Sequence, residues 1–330
     1  MRRDRRVIDA AATIVGDLGG RLQRDVPLGP MTTYRVGGRA ALFATLASVA
    51  EIAAVAEAVQ ATGIEVLVVG RGSNLLIADT GFDGLAITMT ACAGALDLHA
   101  GDSADGRLIT AGSAVLLPVL ARRTAAAGLS GLEWAVGVPG SVGGGIKMNA
   151  GGHGSDVAGT LVSAEIFDIS TNRSGTIEAV HLGLRFRGSS IANHQLVISG
   201  TFRLSYGDRQ RSEAEIAEIV RWRREHQPGG QNAGSVFVNP VPGEVAAGEL
   251  IDRLGLRGLR IGTAEVSTKH ANFIQADEGG NAADVRALME HVRTKVSEVF
   301  GFELRSEIRL VGFDDVTPSA HAFEPGVSIP

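Results

Sequence analysis

The stretch VVGRGSNLLIADTGFDGLAI, Val68–Ile87, decides the reading of this chain. A short apolar run, Val66 to Val69, passes directly into Gly70, so a strand delivers a loop at its C-terminal end. The loop Gly70, Arg71, Gly72, Ser73, Asn74, Leu75 combines little bulk with one cation and two hydrogen-bonding side chains. Such a loop is either a tight turn or a cradle of backbone N–H groups around an anion. Downstream, GLEWAVGVPGSVGGGIKMNAGGHG, Gly131–Gly154, carries eight glycines between Gly137 and Gly154. Turns alone do not account for eight, because each glycine costs conformational entropy on folding. The second loop therefore weighs towards the cradle, with its amides turned on a phosphate-like group.

Three familiar motifs fail here. The Rossmann fingerprint lacks its third glycine, since Leu75 stands in its place. The stretch Gly143 to Lys147 is followed by Met148 rather than Ser or Thr, so it is no P-loop. Ser141 has Pro139 two residues before it, where a nucleophile elbow needs glycine.

Outward from these loops, the chain of 330 residues exceeds what one compact core takes, so two or three domains are expected. Hydrophobic residues make up 45% and charged residues 20%, a globular composition, and the 44 glycines concentrate at Val36–Arg39, Gly70–Asn74 and Gly137–Gly154. The net charge of −5 without a long basic run argues against a nucleic-acid surface. The single cysteine, Cys92, permits no internal disulfide and reads as a small buried residue; no Cys/His cluster has metal spacing. The basic N-terminus is followed by Asp9 and Asp17 rather than an apolar run, and no window approaches a membrane span. A cytoplasmic location is the default.

Local pattern predicts helices at Ser48–Gln60 (Ser48 as N-cap, Glu51 three residues on), Leu116–Ala127, Ser212–His226, Ala246–Leu254 and Asp284–Phe300. Strands are expected at Leu85–Thr88, Leu108–Ala111, Leu161–Asp168, Leu196–Leu204, Ser235–Val238, Asn272–Ala276 and Leu304–Val311. The character changes near residue 210, where a domain boundary is placed.

Seven segments in collinear order carry a resemblance. The two glycine-rich stretches, with TTYRVGG (Thr32–Gly38), FRGSS (Phe186–Ser190), NAGSVFVNP (Asn232–Pro240), KHANFI (Lys269–Ile274) and LRSEIRLVG (Leu304–Gly312), resemble the UDP-N-acetylenolpyruvoylglucosamine reductase family over roughly residues 25–312. The resemblance implies an α+β fold: a two-subdomain FAD-binding domain of the vanillyl-alcohol-oxidase (PCMH) type, then a smaller α+β substrate-binding domain. With it the chain divides into an N-terminal extension (1–22), the FAD domain (23–208, subdomains about 23–84 and 85–208) and a substrate domain (209–313); the tail (314–330), rich in Pro, Ser and Ala without periodicity, reads as disordered.

The same resemblance implies non-covalent FAD, NADPH as co-substrate, UDP-N-acetylglucosamine enolpyruvate as substrate, and a monomer. It assigns FAD contacts to Tyr34, Arg35, Gly70, Arg71, Gly72, Ser73, Asn74, Leu75, Gly137, Pro139, Gly140, Ser141, Gly143, Gly144, Asn149, Ala150 and Gly151. Ser235 matches the proton donor, Arg187 the arginine facing the developing enolate, and Glu307 its carboxyl partner. Each has a plainer reading: Ser235 as a turn residue, Arg187 as part of a solvated strand face, Glu307 as one member of a surface ion pair. Asn239, Lys269, His270 and Asn272 fall at the substrate side, His270 being structural or substrate-positioning.

The pattern departs from the family in four places. Phe186 stands where a tyrosine is usual, Val238 where many members have lysine, and Lys147 where an uncharged residue is common. The span Arg187–Thr201 is too short for the tyrosine-bearing loop that some members fold over the UDP. Two alternatives stay open: another flavin oxidoreductase of the same fold, or a sugar-nucleotide-binding paralogue without turnover.

Overall fold

A computed structural model describes residues 4–103, 106–313 and 326–329. Seven α-helices are present among them: α1 (Arg5–Val15), α2 (Val49–Thr62), α3 (Leu117–Ala126), α4 (Val142–Lys147), α5 (Arg209–His226), α6 (Ala247–Arg253) and α7 (Ala282–Phe300). None is long and apolar enough to cross a membrane.

The first layer is a four-stranded sheet. Leu22–Pro27 pairs antiparallel with Arg39–Thr45, which pairs parallel with Phe82–Thr88, which pairs parallel with Val66–Val68. Helix α2 covers one face through Ile52, Val55 and Ala56, and α1 packs on α2, burying Ala11 and Val15. The helix starts where its capping signal predicts: Ser48 Oγ accepts from the Glu51 amide. Glu51 reaches back to the Ala47 amide at 2.7 Å.

The second layer is antiparallel, in the order Arg173–Glu178, Leu161–Asp168, Gln195–Tyr206, Gly106–Gly112, Leu96–Ser103. Helices α3 and α4 pack on it around Ile109, Leu120, Ile146 and Phe202. Ile216 and Ile219 of α5 enter this same core, so the expected boundary at residue 209 runs through one packed unit. The third layer joins α6 and α7 to a small sheet, Arg260–Ile261, Ala264–Val266 and Ile274–Ala276. Its core includes Leu250, Val285, Leu288 and Met289.

Two expected strands differ. Residues 235–238 form only one isolated bridge, Phe237 to Ser306, because the Asn272 side chain takes the place of a strand partner. Of Leu304–Val311, only Arg309–Val311 is strand, paired parallel with Leu75–Ile77 of the first layer. The chain thus returns to the loop it left some 230 residues earlier, and this return builds the site. The strands Arg39–Thr45, Leu96–Ser103 and Arg173–Glu178 were not anticipated; in the last of these the outward residues are exposed and only Ile177 is buried. Most of the expected disordered tail lies outside the described residues. Within residues 326–329 the expectation is corrected. Val327 is buried and exchanges two hydrogen bonds with the Gln195 amide, at 2.8 and 2.9 Å.

Candidate active site

The strand Val66–Val68 delivers Gly70–Asn74 at the junction of the layers. Gly72 has φ +60°, and a Cβ there would lie 2.2 Å from the Met31 carbonyl, so only glycine fits. Thr33 donates to the Gly72 carbonyl from behind, at 3.2 Å. No backbone carbonyl among the described residues accepts from the amides of residues 70–74. They remain available to an anion.

The second glycine loop works differently. The amides of Val142 and Gly143 donate to the carbonyls of Val115 and Ser113, both at 2.9 Å, so they are not free. Its glycines serve close approach instead. A Cβ on Gly143 would meet Ser113 Cβ at 2.7 Å, whereas one on Gly144 would meet nothing within 4 Å. The two loops face each other: Gly70 lies against Ser141 Oγ and Gly140 against Ser73 Oγ. Between them runs a cavity of about 380 Å³, in the size range of ligand sites.

All of Gly70 to Leu75 line this cavity, as do Gly137, Pro139, Gly140, Ser141, Gly143, Gly144, Ala150 and Gly151. Ser113 also lines it, and its buried hydroxyl has no partner among the described residues. Open amides, an orphaned hydroxyl and a wall without side chains fit a dinucleotide pyrophosphate.

Arg187, Ser235 and Glu307 come from three distant segments and meet in the same cavity. Arg187 Nε lies 3.0 Å from Glu307 Oε1. Its backbone has φ +57°, at a reversal where Arg185 and Gly188 exchange hydrogen bonds. Burial pushes the Glu307 carboxyl above the usual range, and the Arg187 charge only partly offsets this. The Glu307 amide donates to the Val236 carbonyl at 2.8 Å, and Asn74 Nδ2 donates to the Glu307 carbonyl at 2.9 Å. The Glu307 backbone is thereby tied to the Ser235 loop on one side and to the first glycine loop on the other.

Several assigned residues are not brought to the cavity. Tyr34 is fully buried among Val36, Leu76 and Val236, and burial drives its phenol well above the ordinary value. Arg35 is exposed outside the cavity, with its amide on Thr32 Oγ1. Asn149 spends its side chain on Asp156, the Arg185 carbonyl and the Ala158 amide. Asn239 accepts from the Ala247 amide at 3.1 Å, capping α6. Lys269 reaches the Arg224 carbonyl. His270 packs on Phe273, and its pKa is lowered by burial with a contribution from the Arg257 charge. Asn272 is buried, and its amide clamps both backbone groups of Phe237, at 3.0 and 2.8 Å. It positions the Ser235 loop rather than touching a ligand in the cavity.

Sequence reading missed two cations in the lining, Arg223 and Arg309, both with pKa values lowered by burial. Arg309 stands two residues from Glu307, at the start of the strand Arg309–Val311.

The comparisons with known proteins fit this geometry. Residues 226–311 match the family described as UDP-N-acetylenolpyruvoylglucosamine reductase, C-terminal domain, and residues 40–171 match an FAD binding domain. The reductase of Heliobacterium modesticaldum is 38% identical over 301 residues, covering 91% of this chain and 93% of that protein. A Synechococcus sp. reductase is 41% identical, covering 88% and 94%. The chain belongs to the UDP-N-acetylenolpyruvoylglucosamine reductase family. The crystal structure of the Thermus caldophilus member superposes with a TM-score of 0.74 at 32% identity, over 88% of this chain and 99% of that one. Family membership makes the chain an FAD-dependent oxidoreductase of α+β fold.

The departures from the family pattern now have locations. Phe186 is exposed, with the Arg187 guanidinium 5.0 Å from its ring centroid. Val238 is buried rather than facing the cavity. Lys147 lines the cavity, but its ammonium bonds the Ala192 carbonyl at 2.9 Å and Asn193 Oδ1 at 3.2 Å.

Proposed function

We propose that this chain reduces the enolpyruvyl group of UDP-N-acetylglucosamine enolpyruvate to the lactyl ether of UDP-N-acetylmuramate, with electrons from NADPH. The observation that carries this is the meeting of Ser235 with the Arg187–Glu307 pair in the cavity walled by the glycine loops. FAD, when bound, supplies hydride chemistry. Gly70–Asn74 and the Ser113 hydroxyl hold the anionic portion of the cofactor, and Gly144 gives its atoms room.

Reduction of the double bond adds a hydride at the terminal carbon and a proton at the carbon bearing the carboxylate. Negative charge develops on that carboxylate, where Arg187 forks onto it. Glu307, in its protonated form, shares the stabilisation. Ser235 lines the cavity, and its hydroxyl delivers the proton to the α-carbon. A hydroxyl is a weak acid, so it acts only when held against a strongly basic carbanion. NADPH and the substrate take turns in one cavity. The protein acts as a cytoplasmic monomer in peptidoglycan synthesis.

Purified protein is expected to be yellow and to release free FAD on acid precipitation. Anaerobic NADPH bleaches the flavin, and the enolpyruvyl sugar nucleotide restores its colour. A protein that binds no FAD ends the proposal; a flavin that bleaches but does not recover with this substrate points to another oxidoreductase of the same fold.

A further inference from the structure

Residues 326–329 lie against the segment 187–195, which begins at Arg187 and ends at Gln195, both on the cavity lining. A Cβ added to Gly326 would stand 3.4 Å from the Gln195 side-chain amide and 3.5 Å from Ala192 Cβ. Val327 is buried in the core of the second layer, together with Leu182 and Ile191 from the two sides of the Arg187 reversal. Ile329 packs on the same core.

Gln195 is the junction. It is 4% exposed, and a primary amide offers two donors and two acceptor positions. Nε2 donates to Asp168 Oδ2 at 3.0 Å and to the Val327 carbonyl at 2.8 Å. Oε1 accepts from the Ala192 amide at 3.1 Å and from the Val327 amide at 2.9 Å. Val327 therefore fills half the capacity of a buried amide. If it leaves, one donor and one acceptor stay buried without partners, or the side chain turns away from Asp168 and Ala192.

Ala192 carries the effect onward. Its amide is held by Gln195, and its carbonyl accepts from Lys147 Nζ of α4 at 2.9 Å. Ser189 Oγ donates to the Lys147 carbonyl at 2.7 Å. Lys147, Asn193 and Gln195 all line the cavity. Lys147, which departs from the family pattern, thus stitches the helix of the second glycine loop to the segment that Val327 holds.

We propose that residues 326–329 are a strap: docked, they complete the Gln195 amide and fix this wall of the cavity, so that strap and FAD stabilise each other's bound state. None of residues 326–329 lines the cavity, so their influence passes through Gln195, a positioning residue. The inference uses FAD binding alone and does not depend on the reaction proposed above.

Hydrogen–deuterium exchange at the Val327 amide is measured in the full-length protein, flavin-free and FAD-loaded. Exchange should slow on FAD loading by roughly 5- to 150-fold, the usual span of coupling between two sites. This arm needs no substitution. Val327→Asp places a carboxylate in the apolar core and releases the strap. Its Kd for FAD should rise by the same factor, because coupling is reciprocal. Val327→Ile keeps the apolar contact and both backbone bonds, and should retain FAD. Gln195→Ala cuts the link from the other side. In that background Val327→Asp should add no further loss, since both changes remove one interaction.

Equal exchange with and without FAD overturns the inference. So does wild-type FAD affinity in Val327→Asp once rapid exchange at residue 327 shows the strap released. Additive losses in the double variant overturn the route through Gln195. A coupled strap in an enzyme whose reduced flavin the enolpyruvyl substrate cannot reoxidise would leave this inference standing and remove the proposed reaction.

Discussion

The cavity has two walls built on opposite principles. The flavin wall is backbone: Gly70–Asn74 and Gly137–Gly151 approach each other because almost no side chain intervenes. The catalytic wall is side chain: Ser235, Arg187 and Glu307 converge from three segments separated by tens of residues. A backbone wall is made by what is missing, so its sequence is locally dense and hard to replace at any one position. A side-chain wall is made by contacts across the fold, so each member is replaceable without harm to folding, yet the chemistry fails when one is lost.

The largest expected effect therefore falls on the catalytic wall alone. Ser235→Ala should slow substrate-driven flavin reoxidation by about 10²- to 10⁴-fold, the usual worth of a positioned general acid. FAD affinity and the rate of flavin reduction by NADPH should stay at wild-type values. Stopped-flow absorbance separates the halves; equal losses in both would remove Ser235 from the role of proton donor.

The flavin wall is tested by two alanines that differ only in available space. At Gly72 a Cβ has no room and the backbone is left-handed, so Gly72→Ala costs at least about 1 kcal/mol and lowers the melting temperature of the flavin-free protein. Gly144 sits in a helix, with nothing within 4 Å of an added Cβ. Gly144→Ala should leave the flavin-free protein as stable, or more stable by about 0.5–1 kcal/mol. If cofactor atoms occupy that space, its Kd for FAD rises about tenfold, as overpacking at a filled site does. Unchanged FAD affinity in Gly144→Ala would move the cofactor away from the second loop.

The two walls also differ in how far they can be read from sequence. Gly70 and Gly72, following a short apolar run, leave a tight turn and an amide cradle equally open in the sequence, and in the structure no backbone carbonyl among the described residues accepts from the amides of residues 70–74. The second loop looked like more of the same, yet its Val142 and Gly143 amides are taken by Val115 and Ser113, residues that no local pattern links to it. On the other wall, Ser235, Arg187 and Glu307 were legible only through family resemblance, because their meeting depends on the return of Arg309–Val311 to Leu75–Ile77. Asn272 shows the limit of motif reading. It lies beside His270 in a family segment, but its work is to clamp Phe237 from within. Arg223 escaped notice inside a charged helix, where burial of one guanidinium among many cannot be read from helical periodicity.

A smaller effect concerns proton balance within the catalytic wall. The Glu307 carboxyl titrates above its ordinary value, so its protonated form persists to higher pH than in a free side chain. For a raised pKa, the stability it contributes is full below the unfolded value and is lost as pH rises through the folded one. Reoxidation by substrate should accordingly decline on the alkaline side of that raised pKa. Glu307→Gln, uncharged at every pH, should show a lower rate without that decline. A wild-type profile that rises through this range would mean that the carboxylate is the active form.

The smallest effect lies outside both walls and calibrates them. Arg21 and Glu51 form a two-pronged ion pair at 2.8 and 2.7 Å, and Glu51 also caps Ala47. The Arg21 hydrogen bond, followed by the Ala47 amide, lowers the Glu51 carboxyl to about 2. A lowered acid contributes its stability above the unfolded pKa and loses it as pH falls through the folded value. Glu51→Gln should then melt slightly below wild type at neutral pH, by about 0.2–1 kcal/mol for a pair this open to solvent. The gap should narrow as the pH falls from the ordinary glutamate range towards 2, where wild type loses the same charge. Both flavin half-reactions should be unaffected. A change in FAD affinity or turnover in Glu51→Gln would show that α2, on the far side of the first sheet, is mechanically coupled to the Gly70–Asn74 loop. The separation of a backbone wall from a side-chain wall would then need a third participant.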